Sequence, residues 1–188
     1  MRTHVALLRG MNVGRNRTVS TADLRGLLTT LGFADVASYV QSGNLVFTCS
    51  EAEPAVLAAR LEEEIARRLA FDTSVVVLSR DEVAAVIEHN PYPGETDPKA
   101  IHAVLRQRDM TPEVLAGIAL ARERAREKGS PDEATVVGRT LYLRTPLGMG
   151  RSELAAQLAR TIRPGKGQEA GTARNWTTVT KLMGLLDE

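Results

Sequence analysis

Apolar residues recur at different spacings along the chain, and each change of spacing marks a change of element. His4 to Arg9 is a short apolar run closing on Arg9-Gly10, a strand that feeds the polar, glycine-bearing stretch Met11 to Val19. Leu24, Leu27, Leu28 and Leu31 then recur at helical spacing, with Ser20 or Thr21 placed to cap the helix and Gly32 to stop it. Val36 to Val40 and Leu45 to Thr48 are β-rich runs parted by Gln41-Ser42-Gly43-Asn44, a hairpin turn whose glycine supplies a positive φ. A second helix opens near Pro54 and carries Val56, Leu57, Leu61, Ile65 and Leu69, and Ser74 to Leu78 follows as a strand of the fully buried type. The order βαββαβ is that of a ferredoxin-like unit, or α-β plait, in which a four-stranded antiparallel sheet carries two helices on one face.

The same signals return in the second half. Arg80 to Glu88 reads as a helix, and His89-Asn90-Pro91-Tyr92-Pro93-Gly94 breaks it into a linker. Ile101 to Arg106 reads as a strand, and Thr111 to Lys128 as a helix stopped by Gly129-Ser130-Pro131. Thr135 to Val137 and Thr140 to Arg144 form a hairpin about Gly138-Arg139, and Ser152 caps a helix through Ile162 that turns Leu154 and Leu158 inward. The pattern βαββα predicts a second, imperfect plait whose last strand is missing or replaced by a final helix, Asn175 to Leu186. The expected class is therefore α+β with two ferredoxin-like subdomains, residues 1–79 and 80–188, the second including the C-terminal helix. No internal sequence repeat accompanies this, so the second copy rests on element order alone.

Composition narrows the class without naming a chemistry. At 188 residues, 43% hydrophobic and 25% charged, the chain has the apolar material for a real core. No stretch approaches the roughly 20 apolar residues of a membrane helix. Val5 to Leu8 is too short for a signal-peptide core, so a cytoplasmic protein with no membrane partner is expected. Cys49 alone cannot form an internal disulfide, and with His4, His89 and His102 it matches no zinc-ligand spacing. Neither a metal nor a cofactor is expected. The net charge of +1 hides an asymmetry: residues 1–50 carry +3, residues 51–138 carry −6 and residues 139–188 carry +4. Helix-surface runs such as Glu62-Glu63-Glu64-Ile65-Ala66-Arg67-Arg68 account for the acidic middle. The basic ends, if they meet, make a local field that attracts anions.

Three strings stand out for their polarity: Leu7-Leu8-Arg9-Gly10-Met11-Asn12-Val13-Gly14, Tyr39-Val40-Gln41-Ser42-Gly43-Asn44-Leu45-Val46-Phe47, and Thr172-Ala173-Arg174-Asn175-Trp176-Thr177-Thr178-Val179-Thr180-Lys181-Leu182. Together they resemble the bacterial domain-of-unknown-function 1697 family, and Asn90-Pro91-Tyr92 and Gly148-Met149-Gly150-Arg151-Ser152 are similar to its weaker motifs. The resemblance implies a pair of ferredoxin-like plaits and supplies no catalytic residues. The chain departs from it at Arg15-Asn16-Arg17, where another glycine and lysines are usual, and in a longer link from Arg163 to Gly171.

The stretch Gly10 to Ser20 has two glycines that let backbone amides approach a ligand, two arginines that can fork onto phosphate, and a helix start just beyond. It is neither a GxGxxG nor a Walker loop, and the plain reading is a strand-to-helix connection. Gln41-Ser42-Gly43-Asn44 is either a turn bonded to its own backbone or a polar cluster facing Arg9. Asn175 or Thr172 can cap the last helix, and the segment is either that cap with a core tryptophan or a second anion site in which Arg174 lies beside the first amides and Trp176 is a stacking surface. Arg144 and Arg151 add cations before another helix start. An RNA-recognition pattern laid over Ser42 to Phe47 puts Asn44 and Val46 where stacking rings belong, and the chain has only one Trp, three Tyr and three Phe. A nucleic-acid partner is therefore disfavoured, phosphate-backbone contacts alone staying open. No paired carboxylates or triad order accompany Cys49 and the histidines, so no catalytic residue is assigned.

These residues point to binding of an anionic, phosphorylated small ligand in a cleft lined by Arg9, Asn12, Gly14, Arg17, Gln41, Ser42, Asn44, Arg174, Asn175 and Trp176. Two alternatives stay open: a small transferase or hydrolase acting on a phosphate-bearing substrate, and a protein-interaction module whose motifs serve an interface. The sequence sets no oligomeric state.

Overall fold

The computed structural model describes residues 1–10, 19–40, 43–50, 53–162 and 171–188. The chain divides into two compact units, Met1–Ile87 with Thr180–Glu188, and Glu88–Val179. Each is built on one four-stranded antiparallel sheet.

In the first unit β1 (His4–Leu8) runs between β3 (Asn44–Thr48) and β4 (Val75–Ser79), with β2 (Ala34–Ser38) outside β3. All five residues of β1 are buried, as befits a central strand with apolar side chains on both faces. The helices α1 (Thr21–Thr30) and α2 (Pro54–Leu69) lie on one face, where Ala6, Leu8, Leu24, Leu28, Phe47, Leu61, Ile65 and Val77 make the core. Ser20 caps α1 by accepting from the Asp23 amide at 3.0 Å, and Gly32, at φ +88°, ends it. On α2 the acid-base run behaves as its spacing predicts: Glu64 pairs with Arg67 and Arg68, each at 2.6 Å. Glu62 does not, because its carboxylate turns inward to accept from the Val75 amide at 2.8 Å and ties the helix to β4. Strand β2 ends at Ser38, short of the apolar run, since Val40 takes a left-handed backbone (φ +49°) that pairing cannot continue.

A capping box opens α3 (Arg80–Glu88): the Ser79 amide donates to Glu82 at 2.8 Å and the Glu82 amide to the Ser79 hydroxyl at 3.2 Å. The two ends of the chain meet inside the first unit. The Arg2 amide donates to the Leu186 carbonyl at 2.7 Å, the Arg2 guanidinium to the Leu185 carbonyl, and Arg80 pairs with Asp187 at 2.7 Å.

The second unit repeats the topology. β5 (Ile101–Leu105) runs between β7 (Thr140–Arg144) and β8 (Thr172–Asn175), with β6 (Glu133–Val137) outside β7. The helices α4 (Pro112–Glu127) and α5 (Glu153–Thr161) cover the face that carries Ala134, Leu141 and Leu143. Gly117 is required where they cross, because a Cβ there would lie 3.0 Å from the Thr161 carbonyl. The fold class thus holds: two four-stranded antiparallel sheets, each with the strand order and helix placement of an α-β plait. One expectation is corrected. The last strand of the second plait is present as β8, and the final helix, α6 (Trp176–Asp187), follows it. β8 escapes an apolar-pattern search because its four residues, Thr-Ala-Arg-Asn, are polar or small and its pairing with β5 is made by backbone. Among the described residues no helix is long and apolar enough to cross a membrane.

Candidate functional site

In the first unit the end of β1 is built from backbone bonds. The Leu8 amide donates to the Gly43 carbonyl at 2.8 Å and the Arg9 amide to Ser74 at 2.9 Å, while the Thr73 hydroxyl donates to the Arg9 carbonyl at 2.7 Å. These bonds bring the β2–β3 hairpin, the end of β1 and the start of β4 to one edge of the sheet. Arg9 is exposed there, ahead of Gly10 at φ +70°. Asn44 lies at the same edge, opposite Leu7, but it is buried and its side-chain amide donates to the Tyr39 carbonyl at 3.1 Å. That is the local turn role, with Gly43 supplying the positive φ of +68°. Asn12, Gly14, Arg17, Gln41 and Ser42 lie outside the described residues, as does most of the link from Arg163 to Gly171.

In the second unit β8 leads straight into α6 and places three expected residues in succession. Asn175 caps the helix, accepting from the Thr178 amide at 2.9 Å. Trp176 opens it, and its ring centroid lies 6.4 Å from that of Tyr142 at a 53° tilt. Arg174 sits on the strand, its Nη1 donating to the Thr172 hydroxyl at 2.7 Å and to the Ala173 carbonyl at 2.9 Å. Burial pushes the Arg174 guanidinium down to about 10. Register puts Arg174 opposite Ala103, Ala103 opposite Tyr142, and Tyr142 opposite Thr135, so the four make one row across the sheet. The row lies on the face away from α4 and α5, since the neighbouring residues Leu141 and Leu143 point into the helix-covered core. Ala103, fully buried, keeps the middle of the row low between Tyr142 and Arg174. The Tyr142 phenol is buried too, and burial raises it to about 12, only partly offset by its hydrogen bond with Thr140. At the far end the Tyr92 hydroxyl and the Thr135 hydroxyl are 3.0 Å apart.

Other candidates are accounted for structurally. Arg144 is held by two carboxylates, Glu95 at 2.8 Å and Glu133 at 2.9 Å, and Ser152 caps α5 through the Ala155 amide at 2.9 Å. His4 is buried, 2.8 Å from the Thr3 hydroxyl and stacked on Phe47. His102 has its pKa lowered by burial, and its Nδ1 has no partner. Among the described residues no group of three His, Cys, Asp or Glu side chains could hold a metal ion. A groove of about 410 Å³ between α4 and β6, lined by Arg122, Arg126, Asp132 and Glu133, contains none of the expected binding residues.

Sequence reasoning missed Tyr142 and Arg106. Tyr142 reads as one apolar position in a strand, and only the register across β7, β5 and β8 sets it in line with Arg174. Arg106 closes an apolar run, where a cation is expected to leave the sheet, yet it is 7% exposed.

A family model described as protein of unknown function (DUF1697) matches residues 1–142. The solved structure of conserved bacterial protein SP0830 from Streptococcus pneumoniae is similar at a TM-score of 0.71 with 24% identity, covering 98% of each chain, a likeness of fold. No curated protein matches the chain.

Proposed function

The chain belongs to the family described as protein of unknown function (DUF1697), and from that footing we propose that it binds an anionic, phosphorylated small ligand, with the β8–α6 junction holding the anion. Arg174 carries this reading. Its guanidinium is withdrawn from water far enough to fall to about 10, and its Nη1 donates to the Thr172 hydroxyl and the Ala173 carbonyl just ahead of α6. The group stays a cation at neutral pH, and an oxyanion against it would offset the desolvation of that charge through hydrogen bonds about twice as strong as neutral ones. Tyr142 stays a phenol to about 12, so across the whole physiological range it is neutral in the same row as Arg174. Trp176, half-buried at the head of α6, offers a ring face to a base or sugar. In this reading the first unit adds Arg9, Asn12, Gly14, Arg17, Gln41 and Ser42 as further cations and amides for the same class of ligand, while Asn44 holds the β2–β3 hairpin through the Tyr39 carbonyl. The residue types favour binding over turnover, because the row of Thr135, Tyr142 and Arg174 supplies donors and no general base.

Trp176 is the chain's one tryptophan, so its fluorescence reports on the junction directly. Inorganic phosphate, nucleotides, sugar phosphates and short oligonucleotides are titrated at low and moderate salt. A saturable change with a small phosphorylated compound is expected. Arg174→Ala should weaken it at least tenfold, about 1.4 kcal/mol, without lowering Tm. A response confined to oligonucleotides and steep in salt would mean phosphate-backbone binding instead. Silence across the panel, or full affinity in the variant, overturns the reading.

A further inference from the structure

A second arginine of the same unit is in an electrostatic position that the β8–α6 reading does not use. Arg106 directly follows β5, and only 7% of its surface is exposed. Its Nε is buried without a hydrogen-bond partner, and no described carboxylate pairs with its guanidinium. A guanidinium does not discharge on burial as a lysine or histidine can. An Nε–H buried without an acceptor is an unfavourable arrangement in a folded protein, and beside a cationic head it points to an oxyanion acceptor.

The surroundings hold this charge in place. Leu105 pairs with Thr172, so Gly171 faces Arg106 where β8 begins. A Cβ at Gly171 would lie 3.0 Å from Val104 Cγ1 and 3.1 Å from Arg106 Cγ, and the residue's φ is +53°. Glycine is what lets β8 close over the stem of Arg106. The next residue collects a second cation: Arg139, from the β6–β7 turn, donates its Nη1 to the Gln107 carbonyl at 3.4 Å. Arg108 follows in sequence, and the one acid of the segment, Asp109, is exposed.

We propose that this end of the second sheet is an oxyanion site, in which Arg106 holds a phosphate-type group and Arg139 is its second cation. It is separate from the Arg174 row. Arg106 lies beside Val104, which packs against the core under α4 and α5, whereas Arg174 lies opposite Ala103 on the other face.

The test uses inorganic phosphate and the full chain. In spectra of the arginine Nε–H groups, assigned with Arg106→Lys, the Arg106 signal is expected to shift saturably with phosphate while Tm rises. Arg106→Met should raise Tm in phosphate-free buffer, because it removes an unpartnered buried Nε–H, and should abolish the phosphate dependence. Arg174→Ala should retain that dependence, which separates this proposal from the preceding one. Arg139→Ala leaves the buried charge in place and serves even if position 106 tolerates no substitution. It should weaken phosphate about fivefold. An Arg106 signal indifferent to phosphate, or a phosphate-dependent Tm that survives Arg106→Met, overturns the proposal. So does a loss of stability in Arg106→Met that is equal with and without phosphate, since the partner of the charge is then in the chain itself.

Discussion

The two sheets share one topology and spend their fourth strand differently. β4 and β8 hold equivalent edge positions beside β1 and β5. β4 is Val-Val-Val-Leu-Ser with its first four residues buried, while β8 is Thr-Ala-Arg-Asn with only its first residue buried. Backbone pairing is satisfied equally in both, so topology constrains the hydrogen-bond ladder and leaves side chains free. In the first unit that freedom goes to the core. In the second it places a desolvated arginine, a helix cap and a tryptophan in a row.

The comparison breaks most visibly under truncation. Val77→Ala, at a fully buried position of β4, is expected to lower the unfolding free energy by roughly 2 kcal/mol in urea titrations. Arg174→Met on β8 should leave it level or raise it. Equal losses at both strands would mean that β8 is as much a core strand as β4.

Glycines sharpen it next. Gly10 and Gly171 both have positive φ, +70° and +53°, but a Cβ meets nothing within 4 Å at Gly10 and three atoms within about 3.1 Å at Gly171. Gly10→Ala should therefore cost only the backbone strain, on the order of 1 kcal/mol, and Gly171→Ala measurably more. Matching melting temperatures for the two variants would show that β8 does not close tightly on β5.

The smallest effect is alkaline. Arg174 titrates at about 10 when folded and higher when unfolded, so above pH 10 the unfolded chain holds the extra proton and stability rises with pH. Tyr142 does the reverse: its stabilisation is complete below 10 and is lost as pH climbs through about 12. The two oppose each other in one row. Stability measured from pH 9 to 12 should fall more steeply in Arg174→Met than in the parent and less steeply in Tyr142→Phe. Identical slopes would show that neither group is desolvated as described.

Local signals made the first plait legible. Leu24, Leu27 and Leu28 mark the buried side of α1, and the Val75–Leu78 run could only be a buried strand. The β8 strand was not legible, since its place in the sheet comes from Leu105, Val104, Ala103 and His102, some 70 residues earlier. The site divides the same way. Asn175 as a helix cap is a matter of three-residue spacing. Arg144 looked available because its neutralising partners, Glu95 and Glu133, are 49 and 11 positions away. The burial of Arg106 has no local signal either, because Gly171, which closes against its stem, lies 65 positions later.

The meeting of the chain ends has a consequence for how the protein is made. The bond from the Arg2 amide to the Leu186 carbonyl spans 184 positions, and the first unit includes Thr180–Glu188. A segment made before β1 is thus held by a helix made after β8, on the far side of the whole second sheet in the order of synthesis. Both sheets have all their strands by Asn175, so the bonds of Arg2 and Arg80 to the last helix are contacts of the first unit that can form only after the second unit's strands have been made.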